Sequence, residues 1–284
     1  MVYPTYTPHL TRRHLLRATA ALVAGLALPR ASRADEPAPA LPAEPGTRKK
    51  ILILGDSMIA GGLGLYLENG LRKIHGHEVR RKGKSSTGLA RPDFFSWPKE
   101  AKLQLGAYTP EAPPDAVIAM FGGNDVQGLY MGKGEWITWP EPGWPIEYAR
   151  RVNAFADLVA PNGRPLFWIG MPVMRPEKFH VRVQRVNTIY RAEMAIRPGA
   201  HFIDIWRLLA NADGEYTDRL DIDGLPGGKS ERVRAGDGIH VSVAGAHRVE
   251  AHVRAIVQQT LVPAPSEPTP ALAEAERAAA PGGA

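Results

Sequence analysis

Ser57 closes the run Ile51-Leu52-Ile53-Leu54-Gly55-Asp56, and far downstream Asp237 and His240 stand three residues apart in Asp237-Gly238-Ile239-His240. A hydroxyl, an imidazole and a carboxylate are what acyl transfer requires. In that chemistry Ser57 is the nucleophile and His240 the base that takes its proton. Asp237 accepts a hydrogen bond from the other ring nitrogen, which fixes the tautomer and stabilises the imidazolium. Each residue also has a plainer reading. Serine and aspartate are favoured helix N-caps, and Asp237-Gly238 is a favoured turn. A glycine-rich turn after a strand also opens nucleotide sites, but Gly55, Gly61, Gly62 and Gly64 lack the G-x-G-x-x-G spacing. No Gly-Lys-Ser/Thr completes a phosphate loop either.

Positioning such groups requires strands that end beside one another. Apolar strand-like runs at 50–54, 78–82, 116–121, 165–170 and 201–205 alternate with amphipathic helix-like stretches at 59–74, 97–105, 146–159, 181–195 and 244–261. Three of the strands are nearly continuous apolar runs, as strands covered on both faces must be. Five such βα units with right-handed crossovers predict a three-layer α/β/α sandwich around a five-stranded parallel sheet, flavodoxin-like in plan. Ligands of open α/β sheets bind at the carboxyl ends of the strands, where Ser57 stands.

The chain has 284 residues, and its ends read differently from its middle. Arg12-Arg13-His14-Leu15-Leu16, the small apolar stretch 18–28, and Ser32-Arg33-Ala34 before Asp35-Glu36 follow the order of an export signal. The paired arginines point to the twin-arginine route, and the apolar stretch is too short to span a bilayer. We therefore expect a signal over 1–34, a Pro/Ala-rich linker over 35–47, one domain over 48–262 and a disordered tail over 263–284. Localisation is accordingly expected to be periplasmic or secreted, with no integral membrane segment in the mature protein. The signal holds arginines 12, 13, 17, 30 and 33 and no acid, so the 35 basic against 29 acidic residues become 30 against 29 without it. Charge therefore gives no reason to expect nucleic acid as a partner. No cysteine is present, which removes disulfides, thiolate chemistry and cysteine-based metal sites.

Between the opening motifs lie two more. Gly122-Gly123-Asn124-Asp125 follows the third strand, and Ser85-Ser86-Thr87-Gly88-Leu89 follows the second. With Gly55-Asp56-Ser57-Met58 and Asp237-Gly238-Ile239-His240, the chain over about 50–255 resembles the SGNH (GDSL-type) esterase and lipase superfamily. Met58 stands where that family usually has Leu. The resemblance implies a serine hydrolase with Ser57, Asp237 and His240 as its triad. Its oxyanion hole would be formed by the N–H groups of Ser57 and Gly88 and the amide of Asn124. Asp56 and Asp125 read as residues that hold turns through their side chains.

Trp136 and Trp139 follow the asparagine block and could stack on sugar faces or pack their loop. Arg91 could bind substrate oxygens or pair with Asp93. The acidic stretch 211–224 lacks the spacing of a calcium loop and reads as an irregular hairpin. No metal and no cofactor are expected. The reading is an exported esterase acting on an O-acyl, in particular O-acetyl, ester of a small molecule or envelope glycan. Transfer of the acyl group to a glycan hydroxyl, and a non-catalytic glycan-binding protein, are the alternatives.

Overall fold

The computed structural model describes residues 48–221 and 229–263. The expected signal 1–34, the linker 35–47 and, apart from Pro263, the tail lie outside the described residues, as do residues 222–224 of the acidic stretch. In chain order the elements are β1 (Lys50–Gly55), α1 (Ser57–Ala60), α2 (Gly62–Lys73), β2 (Glu78–Gly83), α3 (Trp97–Leu105), β3 (Ala116–Met120), β4 (Leu129–Gly132) and β5 (Glu135–Ile137). They continue with α4 (Gly143–Val159), β6 (Leu166–Ile169), α5 (Glu177–Ala195), β7 (Ala200–Ile203), β8 (Arg219–Asp221), β9 (Ser230–Arg232) and α6 (Val243–Leu261).

Five strands form one parallel sheet in the order β2-β1-β3-β6-β7. Its three inner strands bury Ile51 to Leu54, Ala116 to Met120 and Leu166 to Ile169 completely, because helices cover both faces. The edge strand β2 instead carries Glu78, Arg80, Arg81 and Lys82, charges that discourage pairing with another edge. Helix α2 packs against α6, while α4 packs against both α3 and α5, which makes the two outer layers. The sandwich is therefore as the alternation of patterns required.

Two local differences have physical causes. The single helix expected over 59–74 is two, because Gly61 is extended (φ −88°, ψ −155°) between α1 and α2. The Gly61-Gly62 pair makes that break inexpensive, since glycine is a weak helix former. The segment 128–145, read as a loop, contains the hairpin β4–β5. Lys133 and Gly134 turn it with φ of 50° and 82°, the positive values a two-residue hairpin turn demands. A second hairpin, β8–β9, precedes the Asp-x-x-His segment.

Candidate active site

The end of β1 passes directly into α1, and Asp56 caps that helix by accepting the Met58 N–H at 3.0 Å. Ser57 is thus the first helical residue, and its hydroxyl lies 2.8 Å from His240 Nε2. His240 Nδ1 in turn lies 2.7 Å from Asp237 Oδ2. The other carboxylate oxygen, Oδ1, accepts the N–H groups of Ile239 (2.8 Å) and His240 (2.9 Å), which closes the four-residue turn around the carboxylate. Partial burial pushes the Asp237 carboxyl up, but the hydrogen bond from His240 and those two N–H groups outweigh it and hold it at about 2. Asp237 is therefore anionic at neutral pH. Gly238 has φ of 72°, and a side chain there would run into Arg175, so the turn requires glycine.

Asn124 sits in the loop after β3 and donates through Nδ2 to the Thr87 carbonyl at 3.1 Å. An amide nitrogen carries two hydrogens, so one remains for a ligand. Gly88, next to Thr87, packs so tightly on Asp125 that any Cβ would collide with that carboxyl. Among the described residues neither the Ser57 nor the Gly88 N–H donates a hydrogen bond, which leaves both available as anion donors. Ser57, Gly88, Asn124, Asp237 and His240 thus gather at the carboxyl ends of β1, β2 and β3.

Two buried carboxyls brace these loops against one another. Asp56 accepts N–H groups from Met58 and Gly123, and burial with nearby Asp125 raises its carboxyl to about 7. Asp125 accepts the Ala90 N–H at 2.7 Å, and burial raises it to about 6. The nucleophile turn is thereby tied to the asparagine loop, and the asparagine loop to the glycine loop.

Residues that the motifs do not mark complete the frame. Arg151 of α4 gives Nη1 to the carbonyls of Leu89 and Ala90, both at 2.9 Å, and Nη2 to Tyr130 at 2.6 Å. Arg182 of α5 donates to the Val126 carbonyl at 2.6 Å. Arg234 is fully buried and donates to the carbonyls of Ile239 (2.8 Å), Gly238 (3.3 Å), His240 (3.4 Å) and Val173. Burial pulls the Arg234 guanidinium down to about 10. The chain marks these three arginines only as basic residues, since their partners are backbone atoms distant in sequence.

Arg91 is bound bidentately to Asp93, with Nη2 to Oδ2 at 2.8 Å, and lies over the Trp136 ring at 4.8 Å. Trp139 is flanked by Arg182 and Arg185 and packs on Trp144. None of these three lines the cavity that Ser57 and His240 share. Among the described residues no cluster of three metal-ligating side chains occurs, and no helix is long and apolar enough to cross a membrane.

A parallel α/β/α sandwich with serine, glycine, asparagine and Asp-x-x-His blocks at its strand ends defines the SGNH hydrolase fold class. The chain belongs to the family described as "Protein of unknown function (DUF459)", which matches residues 50–255. None of the curated proteins matches the sequence. Among solved structures the chain is similar to LAE5, an alpha/beta hydrolase enzyme from the metagenome of Lake Arreo, Spain, with TM-score 0.52 and 16% identity over 75% of this chain and 96% of that one. It is likewise similar to a catalytic mutant of Axe2, an acetylxylan esterase from Geobacillus stearothermophilus, with TM-score 0.51 and 16% identity over 75% and 94%. At such identity the likeness is one of fold.

Proposed function

We propose that this protein is a serine esterase that hydrolyses O-acyl esters through an acyl-serine intermediate. The observation that carries the reading is the unbroken hydrogen-bonded chain from Ser57 through His240 to Asp237. His240 takes the Ser57 proton as Oγ attacks the ester carbonyl, and the developing oxyanion is met by the Ser57 and Gly88 N–H groups and the Asn124 amide. His240 then protonates the departing alkoxide, and water activated by the same imidazole releases the acid. The His240 side chain is 40% exposed, so water reaches the acyl-enzyme, which favours hydrolysis over transfer to a second hydroxyl. A pure glycan binder has no use for the hydrogen-bonded chain. Purified mature protein is expected to release p-nitrophenol from p-nitrophenyl acetate, and Ser57→Ala to lose that activity by at least about a thousandfold. Equal rates in both proteins would exclude Ser57 as the nucleophile.

Export through the twin-arginine route belongs to the same proposal, supported by Arg12-Arg13, the short apolar stretch and the small residues before Asp35. Replacing both arginines with lysine is expected to keep the protein in the cytoplasm; unaltered export would reject the route. An acetylated glycan as the ester rests on that compartment and on the family resemblance. Trp136 and Trp139, read as able either to stack on sugar faces or to pack their loop, are engaged by Arg91, Arg182 and Arg185.

A further inference from the structure

Beside Ser57 and His240 opens a cavity of about 330 Å³ between α1, α2 and the start of α6. Its other lining side chains are almost all apolar: Met58, Leu63, Tyr66, Val241, Val243 and Ala246. Ser242 brings a further hydroxyl, but that group caps α6 by accepting the Gly245 N–H and also donates to the Arg232 carbonyl. The Tyr66 ring is fixed against His247 at a centroid distance of 4.0 Å. The exposed Gly61 and Gly62 form part of the wall, so the break between α1 and α2 is also what leaves the space open.

We propose that this cavity receives the leaving alcohol of the ester, and that the alcohol is an apolar alkyl or cyclic one. The inference rests on the esterase reading and puts an ester of an apolar alcohol in place of the acetylated glycan considered with it. Gly88 and Asn124 do not line the cavity, so the carbonyl oxygen, which points at them, is directed elsewhere. The leaving oxygen must lie within reach of His240 Nε2, which supplies its proton. The cavity is walled by His240 and by Val241, Ser242 and Val243 directly after it, so the group attached to that oxygen extends into it. A sugar there would surrender hydration of its hydroxyls to side chains that offer few partners in return. An alkyl group loses nothing and gains burial.

Acetates of methanol through butanol test this, because the acyl group is constant and the basicity of the alkoxide barely changes along the series. A buried methylene is worth a factor of about three to four in rate constant. Wild-type kcat/KM, followed by acid release, is therefore expected to rise about 30-fold from methyl to butyl acetate. Gly62→Leu fills the cavity: a Cβ at Gly62 meets only the Tyr66 ring, at an ordinary 3.5 Å, and φ there is not positive. Its slope along the series is expected to fall to about twofold overall. Val243→Thr, at a site 63% exposed, provides a second variant that keeps shape and removes apolarity, and it is expected to lower the slope without lowering the melting temperature.

A flat wild-type profile, or an unchanged slope in Gly62→Leu, overturns the inference. So does a Gly62→Leu effect confined to acyl length in p-nitrophenyl acetate against butyrate. A wild type labelled at Ser57 by a fluorophosphonate but indifferent to the alcohol rejects this inference alone. Failure of that labelling and of all hydrolysis rejects the esterase reading with it.

Discussion

At the scale of single residues the groups proposed to react are distinct from the carboxyls that hold them. Asp237 is kept at about 2 by partners that favour its charged form, whereas burial raises Asp56 from an ordinary 3.8 to about 7. The two therefore act oppositely on stability. Asp237 contributes stability that is complete above about pH 4 and is lost as pH falls toward 2. For Asp56 the folded state holds its proton more tightly than the unfolded one, so its contribution is complete below about pH 4 and is lost as pH rises through 7. Asp56→Asn does not titrate. Its melting-temperature deficit relative to wild type is thus expected to be larger at pH 4.5 than at pH 8; a deficit that grew with pH would show Asp56 to be ionised in the fold. Ser57, Asp237 and His240 could be proposed from the sequence because chemistry restricts which residue types can serve, whereas Asn124 was singled out through the family resemblance. Gly88 was legible only through the family resemblance, and its cause, the Asp125 carboxyl against its Cα, involves a residue 37 positions away.

At the scale of elements, each loop of the site is fastened by a guanidinium donating to carbonyls: Arg151 for the glycine loop, Arg182 for the asparagine loop and Arg234 for the Asp-x-x-His turn. No pattern of hydropathy records such a bond, since arginine in a helix or turn reads as surface. Arg234 departs furthest from that reading, being wholly buried with four carbonyls as its hydrogen-bond acceptors. Arg234→Met is expected to lose on the order of 3 kcal/mol of stability, because buried carbonyls are left unpaired. It is also expected to lower kcat about 10- to 100-fold with little change in KM, through misplacement of His240. Arg234→Lys keeps charge but not the fork, and should fall between. A variant with full kcat would show that the turn holds itself. The strands and most helices were legible from period and run length, while the hairpin β4–β5 was masked by tryptophans and glycines that suit a loop equally well.

At the scale of the whole molecule, the parallel sheet gathers blocks spread over nearly 200 residues because its strand order places the ends of β1, β2 and β3 side by side. Alternating apolar runs were enough to foresee that sheet. They could not foresee the cavity beside His240, which depends on α2 and α6 meeting across the layer and on the kink at Gly61. The central claim is that Ser57 is a nucleophile activated by His240 and Asp237. Intact-mass and peptide mass spectrometry after exposure to a fluorophosphonate tests it most directly. One adduct is expected, on the peptide bearing Ser57, absent from Ser57→Ala and formed at least about a hundredfold more slowly in His240→Ala. An unlabelled wild type, or an adduct unaffected by either substitution, would contradict it.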